Sequence, residues 1–224
     1  MEYSYRNIGF LLLPIPLLMV AGFWIPYIAA FPAFEPGITL QVHIHAALLF
    51  TWIALLVIQP LAIRYGAFPL HRFLGIASIG LMPLIAFFAA AMIRKEYGES
   101  IAAGASRVAA LQSEFLSAAQ LSLFMSFFLL AIAHIRRRNV PGHMRYMICI
   151  ALVLLPAGLA RTLGYWLGRP QATSQTISLS VIDCCLIALI AYDRHRNMRS
   201  KPYYVALVAY IVIEGVWICL GRPV

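Results

Sequence analysis

Charge is what this sequence has least of. Asp, Glu, Lys and Arg together make up 11% of its 224 residues, against 62% hydrophobic side chains. So few charges cannot cover a water-soluble globule, and a membrane protein is expected. Cysteine is scarce and unpatterned: Cys149, Cys184, Cys185 and Cys219 fall inside apolar runs without a C-x-x-C spacing. That excludes the usual zinc-ribbon and redox pairs and reads the four as small packing residues. Linkers and low-complexity tracts are missing as well, so residues 1–224 are read as one bundle. The alternation of a barrel strand is also absent, which leaves helices as the only spanners, because unpaired backbone groups are intolerable in lipid.

What is present is a series of seven apolar runs, at residues 8–30, 43–63, 73–93, 115–135, 146–167, 176–192 and 203–220. At about 1.5 Å per residue each crosses, or nearly crosses, a hydrocarbon layer of roughly 30 Å. The expected fold is therefore all-α, a polytopic bundle of seven transmembrane helices. The first run is about twice as long as a signal-peptide core and is preceded by Arg6 alone, so it is read as a retained first helix. Arg6, Arg64, Arg72, the run 136–138, Arg145, Arg194, Arg196, Arg199 and Lys201 fall on one side of the membrane. Arg94, Lys95, Arg107, Arg169 and Arg222 fall on the other, with Arg161 inside a span. The positive-inside rule then predicts a cytoplasmic N-terminus and an outside C-terminus, with the bacterial inner membrane as the location. The net charge of +9 follows from that bias and from attraction to anionic membrane lipids; nucleic acid is not called for.

The longest connection, residues 94–114, is expected to extend the fourth helix beyond the bilayer. Pro14, Pro16, Pro83 and Pro156 sit within spans, where each removes a backbone donor and favours a kink. FPLHRFLGIASIGLMP and VPGHMRYMICIALVLLP echo one another around His71 and His143, which admits either an old duplication or chance likeness between greasy helices.

Ionisable groups inside a bilayer are functional hypotheses by default. Counted from the nearer arginine-rich ends, His45, Glu114 and Arg161 lie about 27 to 30 Å up, whereas Asp183 and Glu214 lie at roughly 15 to 18 Å. A band in the outer half results, in which excess acids must be protonated, hydrated or matched by imidazolium or a metal. Arg161, Asp183 and Glu214 are the candidate catalytic groups; His43, His45 and Glu114 are the candidate ligands of a divalent metal. Residues two apart on a helix point about 200° away from each other, so one histidine of the pair faces the bundle. His45 is preferred, because His45, Trp52 and Gln59 recur every seven residues as one stripe. Similar stripes are Thr176, Ser180 and Asp183 on the sixth span, and Tyr203, Tyr210, Glu214 and Trp217 on the seventh. The bland reading makes these histidines headgroup-level residues, Arg161 a snorkelling cation and Glu114 an exposed first-turn acid. His71 and His143, which open adjacent members of the echo, are the candidate axial ligands of a b-type haem.

HIH with W and QP on the second span, LHRFLG opening the third, and PGHMRYM followed by P and R on the fifth resemble a pattern in bacterial multi-pass membrane proteins of unknown function. That resemblance covers residues 24–192 and implies no activity. In helix count and predicted orientation the chain also resembles the seven-helix zinc hydrolases related to alkaline ceramidases and adiponectin receptors. It departs from them in carrying Glu214 and no histidine on the seventh span. A cytochrome b561-like reading lacks histidines well inside a span.

Three functions remain at this point, beside the b-type haem redox protein that His71 and His143 would make. A site in the outer half would bind a metal ion or the polar head of a lipid-soluble substrate, as a membrane-embedded enzyme. A proton-coupled transporter would titrate Asp183 and Glu214 and work as a homodimer, since seven helices are few for alternating access. A non-catalytic accessory subunit would use the same polar groups only for helix–helix specificity.

Overall fold

The computed structural model describes residues 5–34 and 37–220; Arg222, counted above with the outer-side charges, lies outside them. Among the described residues every regular element is helical. Seven helices are long and apolar enough to cross a membrane. The first span, Ile8–Ile28, is broken: α1 (Ile8–Leu11) stops short of Pro14, α2 (Pro14–Phe23) restarts with proline in its first turn, and a π-turn covers Trp24–Ile28 around Pro26. Proline tolerates a first turn because its missing N–H would have no partner there, so the expected kink at Pro14 becomes a restart. The remaining spans are α3 (Leu40–Arg64), α4 (Phe68–Ala102), α5 (Arg107–Arg136), α6 (Val140–Leu167), α7 (Gln171–His195) and α8 (Lys201–Cys219).

Residues 94–114 do not simply lengthen the fourth span. They are shared by α4, which runs on to Ala102, and by α5, which begins at Arg107. Gly104 at φ 90° turns the chain between them, and Ser106 caps α5 by accepting from the Ala109 N–H at 3.2 Å. Left-handed φ is readily reached only by glycine, so the turn is fixed there. All four cysteines are free, with Cys149 alone buried.

α6 is the hub. It packs against α2, α5, α7 and α8, and most of its central turns are buried, from Ile148 through Pro156. Against α2 the two backbones come into direct contact. A Cβ on Gly22 would come within 2.4 Å of the Gly158 carbonyl oxygen, and one on Gly158 within 2.8 Å of Leu18 backbone. Small residues let two backbones touch, which is how helices associate in lipid without a hydrophobic drive. Thr162 seals the crossing through its hydroxyl, which donates to the Gly158 carbonyl at 2.8 Å and reaches Leu18 O at 3.4 Å. Gly22→Ala is expected to lower the thermal transition of the detergent-purified protein, by about 1–3 kcal/mol of overpacking. An unchanged transition would refute close contact at this crossing.

The arginine-rich turns gather at one end of the bundle, and there the N-terminal segment is locked in. Arg145 on α6 and Asp193 on α7 form a two-pronged ion pair, Nε to Oδ2 at 2.7 Å and Nη2 to Oδ1 at 3.0 Å, with side chains 1% and 0% exposed. Tyr5 donates to Asp193 Oδ1 at 2.6 Å and accepts from Tyr203 of α8 at 3.2 Å, while its ring receives the Arg145 guanidinium at 5.1 Å. Arg145 also donates to Pro141 O at 3.2 Å. Burial, with donation to Asp193 next, pushes the Tyr5 phenol above its usual range. The folded state thus holds that proton more tightly than the unfolded chain does. This stabilisation is complete below about pH 10, the ordinary tyrosine value, and is lost as the pH climbs towards the folded value. Melting across alkaline pH is expected to show a fall that Tyr5→Phe makes shallower; identical slopes would contradict it.

Candidate functional site

At the opposite end the helices splay around a cavity of about 620 Å³. Its lower walls are apolar, from Ile85 of α4, Phe124 of α5 and Val153 and Leu154 of α6. Its upper walls carry His45 (α3), Glu96 (α4), Glu114 (α5), Arg161 (α6) and Gln175 (α7). Pro156, which lacks an N–H for its turn, lies in the α6 wall one turn before Arg161.

Arg161 reaches into this space with an exposed side chain. Nη1 donates to the Ala157 carbonyl one turn back at 3.0 Å, and the guanidinium lies 4.6 Å from the centre of the Phe23 ring. Among the described residues no carboxylate oxygen comes within 4.0 Å of it. Opposite it, the Glu96 and Glu114 carboxyls are close enough to interact with each other. His45 is within electrostatic reach of Arg161. Three buried atoms here have no hydrogen-bond partner among the described residues: His45 Nδ1, Glu114 Oε2 and Gln175 Oε1. Each such atom forfeits about 1–3 kcal/mol unless something else satisfies it.

The histidine pair divides as helical geometry requires. His45 lines the cavity, whereas His43 turns the other way, its Nδ1 2.7 Å from the Tyr27 hydroxyl and its ring edge-on to Phe34 at 4.5 Å. The expected metal set of His43, His45 and Glu114 therefore does not assemble. Among the described residues no three His, Cys, Asp or Glu side chains converge as an ion's ligands must. The stripe on α3 does face inward: Trp52 is 1% exposed against Phe124 and Phe128, and Gln59 reaches α4 at the far end.

The polar band also divides. Asp183 and Glu214 are not on the cavity walls; they meet each other between α7 and α8, within hydrogen-bonding reach, both half-buried. Among the described residues one oxygen of each is left without a partner, as is the hydroxyl of Tyr210, which is 1% exposed beside them. The α8 stripe is thus the inward face expected, with Tyr203, Tyr210 and Trp217 buried. The α7 stripe is not: Ser180 is exposed, and the buried polar groups are Ser174, Ser178 and Asp193. Ser178 returns its hydroxyl to its own helix at Ser174 O, 2.7 Å away. A small hydroxyl that bonds its own backbone packs as an apolar residue would, which is why the periodicity of polar residues misjudged that face.

His71 and His143 lie near each other at the arginine-rich end, as the haem reading needs, but their ring nitrogens are committed differently. His143 Nδ1 bonds the Ala131 carbonyl at 3.0 Å, which leaves Nε2 with a free lone pair. With the Gln59 amide turned to satisfy its neighbours, it accepts from the Gly75 N–H at 2.9 Å and donates to His71 O at 3.1 Å and to His71 Nδ1. A His71 that accepts at Nδ1 carries its hydrogen on Nε2 and offers iron no lone pair. His71 is held in a bridge from α4 to Gln59 of α3 and His143 ties α6 to Ala131 of α5, so the two are not matched axial ligands.

Glu96 and Gln175 escaped the sequence reading. Glu96 and Glu114 are equidistant from Ala105, so folding the 94–114 stretch into two antiparallel helices would have paired them. No family model, curated protein or solved structure matches the chain.

Proposed function

We propose that the cavity binds the polar head of a lipid-soluble substrate and that its apolar floor takes up the adjoining tail. The observation that carries this reading is Arg161, a permanent cation facing a 620 Å³ space with no carboxylate within 4.0 Å among the described residues. Arginine supplies fixed donors on one wall, the Glu96–Glu114 pair supplies acceptors on another, and His45 can do either. A headgroup with both donor and acceptor atoms would satisfy His45 Nδ1, Glu114 Oε2 and Gln175 Oε1 together. A bare metal ion would not, because the site lacks convergent ligands and brings its own positive charge. Apolar walls with a few placed polar groups are the ordinary composition of a small-molecule site. Any reaction would use His45 as proton acceptor or donor next to the guanidinium, which stabilises developing negative charge. Organic extraction of detergent-purified protein, followed by mass spectrometry, tests the reading. A lipid-soluble compound at close to one per chain is expected, and material free of any such compound that also takes none up from a membrane extract would defeat it.

A second reading rests on Asp183 and Glu214. Two carboxyls in contact within the bilayer suit a shared proton, as in a proton-coupled transporter. Proteoliposomes carrying Asp183→Asn with Glu214→Gln are expected to lose proton-dependent uptake; flux equal to wild type would remove this reading.

A further inference from the structure

Three basic side chains at the arginine-rich end are engaged by neighbours. Arg64 donates to Arg6 O and to Asn7 Oδ1 and stacks near Phe10; Arg145 is in the buried lock; Arg196 lies over Tyr192. Arg194, Arg199 and Lys201 are different. They are exposed, lie within 4.0 Å of no carboxylate oxygen among the described residues, and line one groove of about 760 Å³ at the α7–α8 turn.

The turn that forms this groove is tightly held. Asn197 adopts φ 54°, Met198 N–H donates to Asp193 O at 2.8 Å, and Met198 Sδ receives the Arg145 guanidinium at 3.7 Å. The groove floor is therefore tied to the buried ion pair and stays put without a ligand. From the cations the groove runs onto an apolar strip of α8, where Tyr204, Val205 and Val208 line it and Val212 continues the row one turn on. Val205, Val208 and Val212 follow a helical i, i+3, i+7 spacing and are 38%, 60% and 58% exposed. Tyr204, 40% exposed, stands between charge and hydrocarbon.

We propose that this groove is a specific site for an anionic phospholipid. Arg194, Arg199 and Lys201 hold the headgroup phosphate, and the acyl chains lie along the Val205, Val208 and Val212 strip. Three cations that line one groove, with no carboxylate within 4.0 Å among the described residues, match a phosphate by charge. The apolar strip running straight into the bilayer selects a lipid over a free phosphate, and Tyr204 has the amphipathic character of an interfacial anchor. The site shares no residue with the cavity at the other end and does not depend on its function.

The test uses delipidated full-length protein in detergent, equal amounts of phosphatidylglycerol and phosphatidylcholine, and native mass spectrometry to count what is retained. Wild type is expected to keep phosphatidylglycerol in roughly tenfold preference, and Arg199→Gln with Lys201→Gln is expected to bring the two lipids close to parity while the thermal transition stays put. Equal retention of both lipids by wild type, or an unchanged preference in the double variant, would overturn the site. Inorganic phosphate at matching concentration is expected to displace little; ready displacement would show that the acyl strip contributes nothing and would also defeat the lipid assignment.

Discussion

Asp193→Ala is expected to abolish assembly of the bundle. The alanine removes both bonds that Asp193 makes to Arg145 and the acceptor for Tyr5, and so takes a two-pronged carboxylate partner from a guanidinium that is 1% exposed. Breaking such a pair on one side costs about 3–5 kcal/mol, of the order of a domain's whole stability. Loss of the monodisperse peak in size-exclusion chromatography reads this out directly. Tyr5→Phe, which deletes one hydrogen bond to the carboxylate, should cost about 1.5–3 kcal/mol and leave a folded protein. Arg145→Met with Asp193→Leu should recover part of the loss, because the two-pronged ion pair is then removed whole, while the Tyr5 hydroxyl still lacks its acceptor. A double variant as unstable as Asp193→Ala would show that the pair does more than compensate itself.

Arg161→Gln is expected to empty the cavity without disturbing the fold. Among the described residues the guanidinium bonds its own helix, at Ala157, and rests on Phe23, so the helix crossings described above keep their contacts. A charged hydrogen bond to a bound headgroup contributes about 1.5–3 kcal/mol, which corresponds to roughly ten- to hundredfold in occupancy. Quantified extraction of the co-purifying compound should fall by that factor, and His45→Ala should act in the same direction. Asp183→Asn should not, because that carboxyl lies outside the cavity walls. Equal loss in all three variants would point to general destabilisation and would remove the cavity reading.

The helices were legible because hydropathy over twenty residues is a strong signal, and all seven expected runs correspond to seven observed spans. The inward face of α3 was legible too, since His45, Trp52 and Gln59 repeat with the helix period. Depth counting was less informative: it put Asp183 and Glu214 in one band with Arg161 and His45, although rotation about α7 and α8 turns the acids towards each other. The lock at Arg145 and Asp193 went unread for a physical reason. Both residues sit next to basic turns, where a charged side chain is ordinarily solvated, and only the packing of α6 against α7 takes this pair out of water. Gln175 carried no signal, because an uncharged amide near a helix start looks like any interfacial residue.

The reach of Tyr5 has a bearing on how the molecule is made. It bonds residues 188 and 198 positions further along the chain, on the last two spans. A ribosome-bound nascent chain therefore carries the Tyr5 segment undocked until α7 and α8 have been inserted. Loop closure over that separation is late and slow compared with pairing neighbouring helices. A chain released before α8 is inserted leaves Tyr5 without Tyr203.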